Sequence, residues 1–376
     1  MTRSRVCAAA GAVVALALLA GGQVSGQGGQ QAEQEPTLSI TEYKPKSTLV
    51  VPEHPVPRAK FPVIDVHSHH PRVPTGQALD ALVAEMDALN LRALVNLSGG
   101  TGERLRRGIE TIRNSRHADR MVFFANLDFS DLDQPGYGER AAARLEADVK
   151  AGAVGLKIFK NFGLHLKRKD GTRVPTDDPE FDPIWAACAR LGIPVLIHTG
   201  EPLAFFEPVD RFNERWRELQ LRPQNRLPPD RFPTFDALMA ERDRLFAKHP
   251  KTTFIVAHFG WHANDLARLG RMLDRLPNTV VETGAILHEL GRQPRTARAF
   301  FVKYQDRILF GKDRYEASEF PYYFRVFETE DEYFDYYRDY HAFWKLYGMG
   351  LPDAVLKKVY FENAQRVVPG LPRIAS

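Results

Sequence analysis

The apolar run Phe61-Pro-Val-Ile-Asp-Val leads straight into His67-Ser68-His69. Alternate side chains of a strand share a face, so both imidazoles point the same way. Two neutral imidazoles on one face make half of a metal site, histidine being the commonest protein ligand for zinc-like ions. Three further ligand-type residues end later apolar runs: His198 after Ile193-Pro-Val-Leu-Ile, His258 after Phe254-Ile-Val-Ala, and Asp313 after Ile308-Leu-Phe-Gly-Lys. Three imidazoles and a carboxylate around an open position suit Zn2+ or a similar ion. Such an ion polarises a substrate oxygen and lowers the pKa of bound water. A lone His-x-His arises easily by chance, and a lone strand-end histidine is more often a hydrogen-bonded core group. The succession of four strand ends bearing ligand-type residues is what carries the reading.

The elements that must position these residues alternate regularly. Apolar runs lie at 63–66, 93–97, 122–127, 154–159, 195–198, 254–258, 279–282 and 308–310. Amphipathic helical patterns follow them at 78–89, 104–116, 139–151, 183–191, 235–249, 263–276, 295–304 and 353–368. Eight strands, each followed by a helix, predict an α/β fold of the (β/α)8 TIM-barrel type, with the five candidate residues at the C-terminal strand ends where barrel active sites are built. The chain beyond Lys60 exceeds the roughly 250 residues of a plain barrel. The surplus falls after strand five (199–234) and after strand eight (314–352), and both insertions leave from the active-site face. In the second, Thr329-Glu-Asp-Glu332 fits a capping box, and Tyr333, Tyr336, Tyr337, Tyr340 and Trp344 follow at helical spacing. The stripe predicts a helix packed over the rim or against another subunit, a homo-oligomer being one expectation; an aromatic wall over substrate is the alternative.

Composition is that of an ordinary globular protein: 376 residues, 44% hydrophobic, 26% charged. The formal charge of +4 and the lack of a long basic block give no indication of nucleic-acid binding. Arg3 and Arg5 precede an apolar run, Val6–Gly21, of 16 residues, short of the roughly 20 that span a membrane. With small residues at Val24 and Gly26, residues 1–26 read as a secretory signal peptide, and no stable membrane anchor is expected. The mature protein would be secreted or periplasmic. Residues 27–60, rich in Gln, Gly, Pro and Glu, read as an extended linker or arm, and 61–376 as the barrel domain. Cys188 would be the one cysteine after cleavage, so no intrachain disulfide is expected; its helical setting suggests a buried thiol.

The segments Ile64-Asp-Val-His-Ser-His69, His198, His258 and Leu309-Phe-Gly-Lys-Asp313 resemble the amidohydrolase-related family, in the branch that includes aminocarboxymuconate-semialdehyde decarboxylase. The resemblance runs over residues 61–370 and includes Tyr360-Phe-Glu-Asn-Ala364, similar to the family's closing helix. It implies His67, His69, His198 and Asp313 as ligands to one divalent metal ion, Zn2+ foremost, and His258 as the group that orients or deprotonates the attacking water. A neutral imidazole is a suitable base near neutral pH. One departure is Gly311-Lys312-Asp313, where the family usually has Gly-Ser-Asp; Lys312, as the strand neighbour of Asp313, is expected to face outward. Lys157, in Gly155-Leu-Lys-Ile-Phe on strand four, matches the position of a carboxylated, metal-bridging lysine in binuclear relatives. Substrate contact is the preferred reading of Lys157 here.

Asn96, Ser98, Asn126, Asp128 and Glu282 also end strands and either line the pocket or act as turn-formers and caps. Trp261 and His262 contact substrate or simply precede a helix, and His70 alternates to the other face. The expected function is hydrolysis of a small-molecule lactone, amide or ester. A carboxy-lyase or hydratase acting on an aromatic or enoic acid would use the same ligands, with Arg314 or Arg325 available to anchor a carboxylate. A non-catalytic ligand-binding barrel is the third reading.

Overall fold

The computed structural model describes residues 38–374. They fall into two units that divide after Val50. In residues 38–50, Ser39 O accepts from the backbone N–H groups of Glu42 (2.9 Å) and Tyr43 (3.1 Å), closing one turn. The leader expected over residues 1–26, like the first part of the arm, lies outside the described residues.

The second unit is a barrel of eight parallel strands in sequence order: β1 (Val63–Ser68), β2 (Leu91–Asn96), β3 (Met121–Asn126), β4 (Gly155–Ile158), β5 (Val195–Ile197), β6 (Phe254–Val256), β7 (Thr279–Glu282) and β8 (Ile308–Leu309). Nearly every strand residue is buried. Helices cover the outside and side chains fill the inside, so continuous apolar runs rather than alternation mark such strands. The strands alternate with α1 (Gly76–Leu89), α2 (Gly102–Arg113), α3 (Tyr137–Ala151), α4 (Asp182–Leu191), α5 (Trp216–Leu221), α6 (Phe235–Lys248), α7 (Leu266–Arg275), α8 (Leu287–Gly291) and α9 (Pro294–Lys303). α7 shows why these patterns fold as helices: Leu266, Leu269, Met272 and Leu273 recur every three or four residues, and all are buried. Cys188 is a buried free thiol on α4.

The barrel meets itself where the candidate chemistry lies. Val66 N donates to Phe310 O (3.0 Å) and Asp313 N to His67 O (2.7 Å), so the β8–β1 seam sets Asp313 beside His67. Beyond β8 come α10 (Phe320–Glu328), α11 (Asp353–Lys357), a π-helical turn over Lys358–Glu362 and α12 (Asn363–Val367). The buried Asn363 amide donates to Gln305 O (2.7 Å) and Ile308 O (2.8 Å). The asparagine of the Asn-Ala pair thereby pins the start of β8.

The chain between β5 and α6 carries α5 and two short 3-10 turns, gathered on a small core of their own formed by Leu164, Phe205, Leu219, Leu227, Phe235, Leu238 and Met239. The chain after α10 departs from the expected helix. Thr329 is the C-cap of α10, not an N-cap: its hydroxyl donates to Arg325 O at 2.8 Å. Residues 333–347 form an irregular excursion closed by a bridge between Phe334 and Leu346, and Tyr333 has a φ of 57°. The capping-box Asp331 instead accepts from Arg325 Nε (2.7 Å) and the backbone N–H of His54 (2.7 Å), drawing the chain back onto the barrel. Of the aromatic stripe only Tyr336 is buried; Tyr337, Tyr340 and Trp344 are half-buried and Tyr333 is exposed, without helical periodicity. No described helix is long and apolar enough to cross a membrane.

Candidate metal centre

The last residues of β1 and the turn after β8 bring three ligand atoms together. His67 Nε2 lies 3.2 Å from His69 Nε2, and Asp313 Oδ1 lies 3.3 Å from the first and 3.5 Å from the second. Ligand atoms about 2.0–2.1 Å from a tetrahedral ion stand about 3.3–3.4 Å apart, so the edges of this triangle match those of a zinc site. The tautomers strengthen the match. His67 Nδ1 is 2.9 Å from Glu282 Oε1, an acceptor-only carboxylate oxygen, and so carries the proton. Its Nε2 is therefore a lone pair facing another acceptor, Asp313 Oδ1, with no hydrogen of either group between them. Among the described residues only the Lys157 ammonium, 3.5 Å from that Nε2, comes near, and the facing pair of acceptors fits a divalent ion between them. Burial, then the nearby Lys157, hold the His67 imidazole neutral. Burial opposes ionisation of Asp313, but the His69 hydrogen bond, then the facing imidazoles of His67 and His258, keep its carboxyl well below the usual carboxylate range.

Outer partners orient each corner. Ser98 Oγ lies 2.7 Å from His69 Nδ1, so the strand-end serine of β2 belongs to the centre. Asp65, two residues before His67 on the same strand face, accepts from the backbone N–H of His67 (2.9 Å) and of Lys312 (3.0 Å). Asp313 has a φ of 84°, a left-handed conformation unusual for a non-glycine residue and stabilised by its hydrogen bond to His67 O. His258, Phe259 and Trp261 share positive φ values of 57°, 51° and 56°, a strained run of the kind concentrated at functional sites.

His258 stands beside the triangle. Its Nδ1 donates to Gly284 O at 2.8 Å, which leaves Nε2 as the acceptor, and its backbone N–H donates to Glu282 Oε1 at 2.6 Å. Burial, then the neighbouring His198, lower its pKa to about 4. The Trp261 ring lies against it, with centroids 4.5 Å apart and planes 27° from parallel. His198 is not drawn into the triangle. Its Nδ1 sits 3.3 Å from His258 Nε2, and its buried Nε2, 3.7 Å from Glu201 Oε2, has no hydrogen-bond partner. β5 ends at Ile197, so His198 begins the following loop, where the His258 ring stands edge-on to it at 4.4 Å.

Lys157 points into the barrel, buried, with Nζ 3.5 Å from His67 Nε2. Burial lowers its pKa to about 8 against the opposing pull of Asp313 and Glu282. Lys312 does face away from the triangle, as strand alternation requires. It does not reach solvent, however: its ammonium is buried against Arg314 O (2.7 Å) and the Glu319 carboxylate, enclosed by the rings of Phe320 and Tyr337. Arg325, a candidate carboxylate anchor, is engaged by Asp331 and lies over Phe334. Asn96, Asn126 and Asp128 serve the backbone: Asn96 accepts from His70 N (3.0 Å), Asn126 from Gly100 N (2.9 Å) and Asp128 from Ser130 N (2.9 Å). His70 turns to Ser68 Oγ (3.0 Å), away from the ligand triangle.

Sequence reasoning missed Glu201 and Lys160, which pair with each other beside His198, and undervalued Glu282. The usable signal for Glu201 is its place three residues after His198 in the strand-five loop. Glu282 ends β7 fully buried, where a carboxylate needs partners.

Two buried histidines outside the triangle predict acid sensitivity. Burial lowers the pKa of His288 to about 4 and, with Arg242 alongside, that of His262 to about 2. Both are neutral when folded but take up a proton near pH 6.5 when unfolded. Their contribution to stability is thus complete above that pH and is lost as pH falls toward the folded values. By linkage each forfeits roughly 2 kcal/mol between about pH 7 and pH 5. Denaturant melts over this range should show falling stability with a shallower slope in His262→Gln; an unchanged slope refutes the assignment to His262.

The amidohydrolase family profile matches residues 64–370, and the chain belongs to that family. Similar folds include a TIM-barrel protein from Bordetella bronchiseptica, at 15% identity over 82% of this chain and 98% of that one, with a TM-score of 0.52. They also include 2,6-dihydroxybenzoate decarboxylase complexed with 2,6-dihydroxybenzoate (18% identity, 82% and 99% coverage, TM-score 0.48). A third is 4-oxalomesaconate hydratase from Rhodopseudomonas palustris (15% identity, 82% and 95% coverage, TM-score 0.47). No curated protein sequence matches the chain significantly.

Proposed function

We propose that this chain is an exported metal-dependent hydrolase of a small-molecule lactone, amide or ester. His67, His69 and Asp313 hold one divalent ion, zinc foremost, and the partnerless Nε2 of His198 supports it as a further ligand. The observation that carries the reading is the pair of acceptors, His67 Nε2 and Asp313 Oδ1, facing each other at 3.3 Å beside a neutral, buried His258. A divalent ion bound there supplies Lewis acidity toward a carbonyl oxygen and toward water. His258, with Nδ1 tied to Gly284 O, carries its lone pair on Nε2; as its 3.3 Å contact with His198 Nδ1 gives way to water, it takes the proton that water releases on attack and returns that proton to the leaving group. Trp261 fixes the plane of this ring. Lys157, at the barrel floor, is placed to hold a substrate oxygen.

Hydrolysis is favoured over decarboxylation because Arg325 is engaged elsewhere and the cavity beside Trp261 is walled by carboxylates, a poor setting for an anionic acid. The test is purified mature protein, stripped by chelator and reloaded with zinc, assayed on lactones, esters and amides alongside aromatic acids with CO2 detection. Zinc-restored hydrolysis without CO2 release is expected; CO2 release without hydrolysis assigns a lyase instead. Export predicts an N-terminus near residue 27 in the secreted or periplasmic fraction; an uncleaved cytoplasmic chain refutes that part.

A further inference from the structure

A cavity of about 370 Å³ opens next to the metal centre, between the loops that follow β5, β6 and β7. Trp261 forms part of its wall and also stacks on His258, so an occupant of the cavity lies one ring away from the proposed proton acceptor. Its lining is unbalanced in charge. Glu207, Asp210, Glu214 and Glu289 face one guanidinium, that of Arg215, which is already held by the buried Glu218 through Nε at 2.8 Å. Arg292 bridges Glu214 (2.7 Å) and Glu289 (2.6 Å), while Glu207 and Asp210 meet no cation among the described residues.

A second observation is independent of charge. His288 lines the cavity and is only 1% exposed. Its Nε2 is 3.0 Å from Arg215 Nη1 and 3.4 Å from Glu289 Oε1; the shorter contact is to a guanidinium, which only donates, so Nε2 is the acceptor and the proton sits on Nδ1. That Nδ1–H is buried without a partner, and so is the indole N–H of Trp261. Buried donors are rarely left unpaired in folded proteins. The cavity therefore combines two unsatisfied N–H donors with surplus negative charge. Its complement is a molecule that brings an uncharged oxygen acceptor and a positive charge.

We propose that this cavity binds the cationic end of the substrate, making the substrate class a small amide, ester or lactone that bears an ammonium or guanidinium group. The proposal rests on the hydrolase reading for the word substrate, but binding can be read without turnover. Three matched probes serve: N-acetylputrescine (cationic), N-butylacetamide (neutral) and 4-acetamidobutanoate (anionic), titrated calorimetrically into the full mature protein loaded with zinc. N-acetylputrescine should bind at least about tenfold more tightly than N-butylacetamide, with 4-acetamidobutanoate weakest and the preference shrinking as salt rises. The exposed pair Glu207→Gln and Asp210→Asn, combined, should reduce that preference severalfold while leaving zinc content unchanged. Equal binding of the three, preference for the anion, or no binding by any overturns the cavity assignment. Selective binding of the cation with no lactone, ester or amide cleaved supports the cavity and overturns only the hydrolase reading.

Discussion

Replacing Asp313 by alanine is expected to abolish tight zinc binding and, with it, any metal-dependent turnover. Asp313 is the one anionic corner of the ligand triangle, and without it only neutral imidazoles, those of His67 and His69 3.2 Å apart and that of His198, are left to hold a dication. Loss of an outer partner of a metal ligand costs about 10–100-fold in affinity, so loss of the charged ligand itself should exceed about 100-fold. The fold should survive, because the backbone N–H that Asp313 donates to His67 O is kept. A modest destabilisation is expected all the same, since the φ of 84° suits Asp or Asn better than Ala. Asp313→Asn separates the two effects: it tolerates the backbone but removes the charge, so it should melt near the wild-type temperature and still bind zinc weakly. Chelator competition with both variants checks this. Zinc held as tightly by Asp313→Ala as by the wild type would remove Asp313 from the site.

Most of the barrel was legible because its strands announce themselves as short continuous apolar runs and its helices by a 3.6-residue period, and the physics that buries them is local. His67 and His69 could be paired from alternation alone, and Asp313 from its place at the end of the last strand. What pattern could not supply was tertiary. The stripe after Thr329 has helical spacing, yet Asp331 finds Arg325 and the arm at His54, and those contacts override the periodicity. Strand alternation sent Lys312 away from the ligand triangle but could not reveal Glu319 and two aromatic rings waiting there. His198 ended its run as the other histidines did, and only the three-dimensional packing shows it against His258 rather than within the triangle. Glu282 illustrates the limit most clearly. A carboxylate ending a strand looks the same in sequence whether it caps a turn or organises a site.

Glu282 organises this one. Its Oε1 accepts from His67 Nδ1 at 2.9 Å and from the His258 backbone N–H at 2.6 Å, and its Oε2 accepts from Gly284 N at 2.6 Å. One buried carboxylate thus sets the tautomer of a proposed metal ligand and supports the strained turn that carries the proposed base. Glu282→Gln preserves shape but not polarity. If its amide nitrogen takes the Oε2 position it confronts Gly284 N–H; at the Oε1 position it confronts two donors. Either orientation leaves a buried donor unsatisfied, which costs about 1–3 kcal/mol. With the amide oxygen still facing His67 the tautomer persists, but the anion that raises imidazole basicity is gone, and zinc affinity should fall about 10–100-fold. Glu282→Leu removes every acceptor and should lower stability by several kcal/mol through three orphaned N–H groups. Chelator competition and denaturant melts, the latter with zinc in excess, measure the two quantities separately. A glutamine variant that matches the wild type in zinc affinity and in stability would reduce Glu282 to a bystander. A variant that loses stability but not affinity would leave it a structural cap, with His67 oriented by other means.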